Sequence, residues 1–252
     1  MTTEIQTPDL TLDVSQMTNE QIRSAISGLP APEAVRLNDS ASGEECPPPL
    51  VELAGLNHQA AMCMRITQAV RIHGKGHLGD FAFAWCDAAD VHLEGSVGDG
   101  ACEGMTGGRV RITGNAKCGL GAAMTGGTLA VYGSAGPRVG AAMRGGSIFV
   151  RGDVGEDTGA GALGGTIVVG GDAGMNLGDG LNNVTVFLRG KAESLAPGVI
   201  QAPLRKREEV RLGLLLMNAS IRGKPSDFRR IIPAARWQAE EAGAGEVRPN
   251  WR

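Results

Sequence analysis

The residues best placed to do chemistry lie in a glycine-rich stretch, Gly74-Lys75-Gly76-His77-Leu78-Gly79, which follows the apolar run Val70 to Ile72 and precedes Glu94 by about 20 residues. That is the outline of a dinucleotide fingerprint: glycines let the backbone approach a pyrophosphate at a helix N-terminus, and a downstream acid reads the ribose hydroxyl. Such chemistry needs a crossover helix with an apolar stripe, and none is evident after Gly79. Cys46, Cys63, Cys86, Cys102 and Cys118 form no CxxC and are odd in number, so free thiols are expected rather than a zinc or iron–sulfur site. His73 and His77 are four apart, but on a strand and turn they do not share a face and read as surface or rim histidines. Asp153, Asp172 and Asp179 fall in predicted turns, where aspartate commonly accepts backbone N–H bonds. A nucleophile elbow, a P-loop and an HExxH are absent. No catalytic, cofactor-binding or metal-ligating residue is therefore expected in this chain.

The elements that would have to position such residues repeat instead. Gly95, Gly114, Gly133, Gly152, Gly171 and Gly190 stand 19 residues apart, a period that signals a solenoid. Two apolar columns precede them, Val91, Val110, Leu129, Ile148, Ile167 and Val186, then Leu93, Ile112, Val131, Val150, Val169 and Leu188. A spacing of two places both columns on one face of a short strand. Between them His92, Arg111, Ala130, Phe149, Val168 and Phe187 point the other way, toward an outer or partner-facing surface. A small column, Val97, Ala116, Ala135, Val154, Ala173 and Ala192, should also face inward. Glycine pairs such as Gly107-Gly108 and Gly126-Gly127 supply corners with positive φ, and Gly121, Gly140, Gly159 and Gly178 form a further glycine column.

Nineteen residues at about 3.3 Å each give a perimeter of roughly 60 Å, a flattened coil with a thin apolar interior. Counting from Gly74, where Val70 and Ile72 repeat the strand pattern out of phase, there are seven rungs. The fold class expected is all-β: a right-handed parallel β-helix with short helical flanks.

The chain has 252 residues, 42% hydrophobic but only 4% aromatic, which suits a narrow interior of Val, Ile, Leu, Ala and Met. A net charge of −3 argues against a nucleic-acid partner. With no run of 18 apolar residues and neither a basic nor an apolar leader in MTTEIQTPDL, no membrane role is expected and the location expected is cytoplasmic. Residues 1–49 read as an arm with a helix near Asn19–Ser27, started by the capping box of Thr18 and Gln21. Within it Cys46-Pro47-Pro48-Pro49 makes a stiff linker. Residues 50–200 form the β-helix, and 201–252 a helix near Arg205–Asn218 and a docking tail. Leu212, Leu214, Leu215 and Leu216 are expected to cover the last rung, and Phe228 through Trp237 to suit docking on another subunit.

The recurring G-x-A/V-G unit with its trailing GG-x-φ-x-φ-x-G (φ here an apolar residue) resembles the GXGXG domain, the C-terminal β-helix of the glutamate synthase large subunit, which also occurs as a separate chain. The match runs from Asp90 to Ala196, most clearly in Gly95-Ser96-Val97-Gly98, in Gly171-Asp172-Ala173-Gly174 with Leu177-Gly178-Asp179-Gly180-Leu181, and in Val186 to Leu195. Leu10 to Leu29 is similar to the lead-in of the separate chains, whereas Leu56 to Asp87, with Met62, Met64, Phe81, Phe83 and Trp85, departs from it, as does the tail after Arg205. The resemblance implies a non-catalytic scaffold in a hetero-oligomer with a glutaminase-like subunit and an FMN-dependent synthase, making glutamate or, as in N-methylglutamate synthase, its methylated form. FMN and iron–sulfur would belong to the partners, and the coil would help enclose an ammonia path. The same family includes the β-helical scaffold chain of formylmethanofuran dehydrogenase and of the related formyltransferase/hydrolase complex, whose partners are amidohydrolase-like and formyltransferase-like. A free-standing solenoid binding module is the third reading. The chain opens Met-Thr, so it is expected to lack the N-terminal cysteine nucleophile of such glutaminases, and nothing resembles an FMN phosphate cradle.

Overall fold

The computed structural model describes residues 7–30, 47–179, 182, 184–219 and 223–242. Strands β1 (Leu10–Asp13), β2 (Leu50–Gln59), β3 (Arg71–Leu78), β4 (Asp90–Glu94), β5 (Arg109–Ile112), β6 (Thr128–Val131), β7 (Ser147–Val150), β8 (Thr166–Val169) and β9 (Thr185–Leu188) stack in chain order, each pairing parallel with the next. This is a parallel β-solenoid, and from β3 to β9 its seven strands stand in the seven expected rungs. Registers from β3 onward step by 19, so Ile72 meets Val91, Gly74 meets Leu93 and Leu93 in turn meets Ile112. The break of phase expected at Gly74 is therefore not there: Gly76 stands in the glycine column against Gly95, and the 21-residue step lies between β2 and β3. The two apolar columns point inward and are almost wholly buried. The small column pairs as single parallel bridges, Val97 to Ala116 and on to Ala192, so each rung has a second, shorter line of contact with its neighbour.

The 19-residue glycines lie where rungs approach most closely. Gly133 N donates to Gly114 O at 3.0 Å, and Gly152 N to Gly133 O at 2.9 Å. None of these six glycines has a positive φ. A Cβ on Gly133 would instead overlap Asn115 Oδ1 and lie 2.5 Å from Gly114 O. Contact, not turn conformation, demands glycine there. Positive φ belongs to the second member of each pair, Gly108, Gly127, Gly146 and Gly165 (φ 75° to 98°), as expected for corners.

Both ends of the coil are closed. Helix α1 (Asn19–Ser27) begins at the predicted capping box, with Gln21 N on Thr18 Oγ1 and Thr18 N on Gln21 Oε1. Its Ile22 and Ile26 join the solenoid interior with Leu12 and Val14, and it is tied to the rung beneath by Met64 N to Asn19 Oδ1 (2.8 Å) and Gln68 Nε2 to Ile26 O (2.6 Å). Leu10–Asp13, read from sequence as part of an arm, is thus the terminal strand of the sheet.

The far end differs from expectation. Strand β11 (Arg229–Pro233) runs antiparallel to β9, and β10 (Val199–Ala202) antiparallel to β11. Val199 and Ile231 of this return cover the last interior layer, close to Gly178. The stretch read as a docking tail is therefore largely spent on its own sheet. Helix α2 (Lys206–Asn218) does not cover the last rung. It lies on the outer sheet face, where Leu212, Leu216 and Phe228 bury Ala130, Phe149, Val168 and Phe187 in a second core. The outward column was expected to form an outer or partner-facing surface, but its apolar half is covered by this chain. Helix α3 (Ala234–Glu241) follows β11, and Arg230, 1% exposed, pins it: Nη2 meets Glu240 Oε2 at 2.7 Å, Nη1 meets Glu208 Oε1 of α2 at 3.2 Å, and Nε donates to Pro203 O at 2.8 Å.

Candidate functional site

The carboxylates that resemble catalytic groups serve the coil. The residue after each column glycine accepts the backbone N–H of its successor one rung on: Asn115 N to Ser96 Oγ (3.0 Å), Ser134 N to Asn115 Oδ1 (2.8 Å), Asp153 N to Ser134 Oγ (3.1 Å), Asp172 N to Asp153 Oδ1 (2.8 Å) and Lys191 N to Asp172 Oδ1 (2.7 Å). Asp179 accepts from Gly161 N and Asn182 N. The expected turn role holds for all three aspartates. An open concavity of about 630 Å³ beside this ladder is lined by Asp153, Glu156, Asp172, Lys191 and Glu193 among others, and two of its carboxylates already hold backbone donors.

The fingerprint residues lie within strand β3, between β2 and β4, and among the described residues no helix lies between Ser27 and Lys206. There is no helix N-terminus at which a pyrophosphate would be held. His77 heads the ladder: its Nδ1 accepts Ser96 N at 3.0 Å, and its ring stacks on His58 with centroids 5.2 Å apart.

Cys63, Cys86 and Cys102 are free and buried, and Cys118 is free and half-buried. Cys46 lies outside the described residues. Burial pushes the Cys86 thiol up to about 11 and raises Cys63 and Cys102 as well, so these three are held as thiols, the unreactive form. Among the described residues no group of three or more His, Cys, Asp or Glu is placed to hold a metal, and no helix is long and apolar enough to cross a membrane.

Outside α2, the outward column continues as Arg111, His92, His73 and Glu52. His73 Nε2 is 3.3 Å from Glu94 Oε1, Arg111 Nη2 is 2.7 Å from Asp90 Oδ1, and the His73 and His92 rings are 5.3 Å apart. Partial burial, then the Arg111 and His73 charges, lower the pKa of His92 against the opposing pull of Glu94 and Asp90. An unfolded histidine titrates near about 6.5. Below that pH the unfolded chain takes up the proton more readily, so this contribution to stability is present above about 6.5 and lost as pH falls toward the lowered folded value. Between pH of about 7.5 and 5.5 the wild type should lose stability that a His92→Gln variant keeps, measured by denaturant melts. Equal slopes in both would count against it.

A third face is a run of left-handed residues at alternate positions. Phe81, Phe83 and Trp85 have φ of 58°, 58° and 54°, and one rung on Gly100, Cys102 and Gly104 have 65°, 58° and 64°. The N–H groups alternate between neighbours: Phe81 N bonds Asp99 O ahead, Phe83 N bonds Met62 O behind, and Trp85 N bonds Glu103 O ahead. The middle position faces inward, with Phe83 and Cys102 fully buried, and the outer two face away. Later rungs place glycine or alanine at most of these positions, for example Gly119, Gly121 and Ala123. A left-handed residue with a Cβ costs roughly 1–2 kcal/mol; burial offsets that at Phe83, whereas at the outward positions Phe81 and Trp85 it marks strain that the fold does not require. From sequence Leu56 to Asp87 stood out only as a departure from the resemblance; its signal was aromatic residues at the spacing of the later glycines.

No family model, no curated protein and no solved structure matches the chain. Its geometry and the residues of its repeat are what carry a functional reading.

Proposed function

We propose that this chain is a non-catalytic scaffold subunit of a glutamate-synthase-like complex, organising a glutaminase-like chain and an FMN-dependent synthase that makes glutamate or N-methylglutamate. Its own polar residues are structural, and chemistry belongs to the partners. The observation that carries the scaffold role is the side-chain ladder from His77 to Lys191, in which one side chain per rung, Asp153 and Asp172 among them, binds a backbone N–H of the next rung instead of facing a substrate. A body stiffened along its axis can hold two partners at a fixed separation, which is what passing a small intermediate between active sites requires. The assignment to this class of complex rests on the G-x-A/V-G repeat and its trailing strand, and FMN and iron–sulfur would lie in the partner chains.

The test is purification of the tagged chain at its native expression level, with the co-purified chains identified by sequence and the flavin by absorbance. A glutaminase-like and a flavin-containing chain in fixed ratio are expected. Amidohydrolase-like and formyltransferase-like chains would move the protein to one-carbon metabolism, and a stable monomer would overturn both assignments.

A further inference from the structure

Phe81 and Trp85 are 43% and 41% exposed, and they stand on neighbouring outward positions of one rung. Phe83 between them is explained by the interior it fills; they are not. One rung on, Gly100 and Gly104 make the same hydrogen bonds in the same left-handed conformation without a side chain. Phe81 and Trp85 lie against these glycines, so closely that a Cβ on Gly100 would be 2.7 Å from Phe81 Cδ1 and one on Gly104 would overlap Trp85. The glycines form a floor against which each ring rests, and both rings stay partly exposed even with Arg65 over the Trp85 indole. Strained and exposed aromatic residues at positions where glycine serves one rung on suit contact rather than folding.

The surroundings say what kind of contact. Asp80 and Asp87 bracket the pair in sequence, Asp99 is opposite Phe81 on the next rung, and Glu103 Oε2 lies beside Phe81 above Gly100. Asp80 and Asp99 each accept a backbone N–H at 2.8 Å, as carboxylates do. Against these four acids stands Arg65, whose guanidinium carbon is 5.6 Å from the Trp85 ring centroid. The chain thus already places an arginine on this indole. Arginine suits the setting better than lysine, because a planar, weakly hydrated guanidinium stacks on a ring while its edge reaches a carboxylate.

From the strain, the exposure and the acidic frame we infer that Phe81 and Trp85 form a docking platform for an arginine-bearing basic segment of a partner protein. This goes beyond the scaffold assignment and does not depend on which complex the chain joins.

The full chain is titrated by calorimetry with capped hexa-arginine, hexa-lysine and a neutral leucine-rich hexapeptide. Hexa-arginine is expected to bind at least about fivefold more tightly than hexa-lysine, the difference a stacked guanidinium makes. The neutral peptide should not bind measurably. Trp85→Ala should weaken hexa-arginine about fivefold while leaving hexa-lysine nearly unchanged. Arg65→Ala, at an exposed position, vacates the ring and removes a competing cation, so it should tighten hexa-arginine; this variant keeps the proposal testable if Trp85→Ala does not fold. Equal binding of the two basic peptides would mean charge alone, and equal binding of the neutral peptide would mean a merely apolar patch. Either result, or an Arg65→Ala variant no tighter than wild type, overturns the platform.

Discussion

Replacing Gly133 by Val is expected to destabilise the protein by at least about 3 kcal/mol, the range of severe overpacking, and to lower its melting temperature by about 10 °C. The cause is local and can be specified. Gly133 N donates to Gly114 O at 3.0 Å while Ser134 N, next in the chain, donates to Asn115 Oδ1 at 2.8 Å. A Cβ would fall between these two bonds, against Asn115 Oδ1 and 2.5 Å from Gly114 O. Neither acceptor can retreat without breaking its own bond to the rung above. Because the backbone φ is ordinary, Gly133→Ala should already incur most of the cost, with the valine methyls adding the rest. If the glycine were needed for a left-handed turn, Gly133→Asn would be the mildest change, since Asn tolerates that conformation; here Asn should be as damaging as Ala or worse. Gly213 is the contrast. It lies within α2 and a Cβ there would meet only Pro225 Cγ at 3.4 Å, so Gly213→Ala should raise stability by up to about 1 kcal/mol through helix propensity. Thermal melts of the four variants decide the matter, and an unchanged melt for Gly133→Val would remove the contact account of the whole column.

Much of this architecture was readable because the strand face obeys a simple rule. Residues two apart face the same way, so Val110 and Ile112 point inward and Arg111 outward, and a constant period of 19 stacks like on like. Turn roles for Asp153, Asp172 and Asp179 followed from short side chains beside glycine. The left-handed face was harder to see because its conformation is shared by Gly121, Ala123, Cys102, Arg65 and Trp85, residue types that have no common pattern in sequence. The place of α2 was encoded, though not in the helix. The outward column changes from His92 and Arg111 to Ala130, Phe149, Val168 and Phe187, which marks where a cover begins. The two closures were invisible to periodicity. Strand β1 reaches β2 across about 40 residues of sequence and β11 returns antiparallel past β9, and non-local pairings of that kind leave no local repeat. The docking platform was hidden for a related reason, since Phe81 and Trp85 read as errors in a motif until their backbone angles aligned them with Gly100 and Gly104.

Replacing Arg230 by Ala should cost about 3–5 kcal/mol, as expected when one partner of a buried ionic cluster is removed. Its position in the outward column, one step past Phe187, would have been the next apolar site under α2. Instead a guanidinium 1% exposed joins three elements: β11, which carries it, α2 through Glu208 and α3 through Glu240. Arg236 and Arg205 also reach Glu240, and Arg236 Nη1 donates to Thr185 Oγ1 of β9 at 2.9 Å. Burial lowers the Arg230 pKa and Glu208 opposes that effect, so the acids offset the cost of burying a charge that arginine keeps. Removing it leaves Glu208 and Glu240 to Arg205 and Arg236, and α2 loses its ionic tie to β11. The loss should be larger than for Glu208→Gln alone, since Glu240 and Pro203 O would still hold the arginine. A double-mutant cycle on Arg230→Ala and Glu240→Gln, followed by denaturant melts, should give a coupling of more than about 1 kcal/mol, as groups in one ionic network do. Additive losses would mean that β11 is held by its strand pairing with β9 and β10 alone.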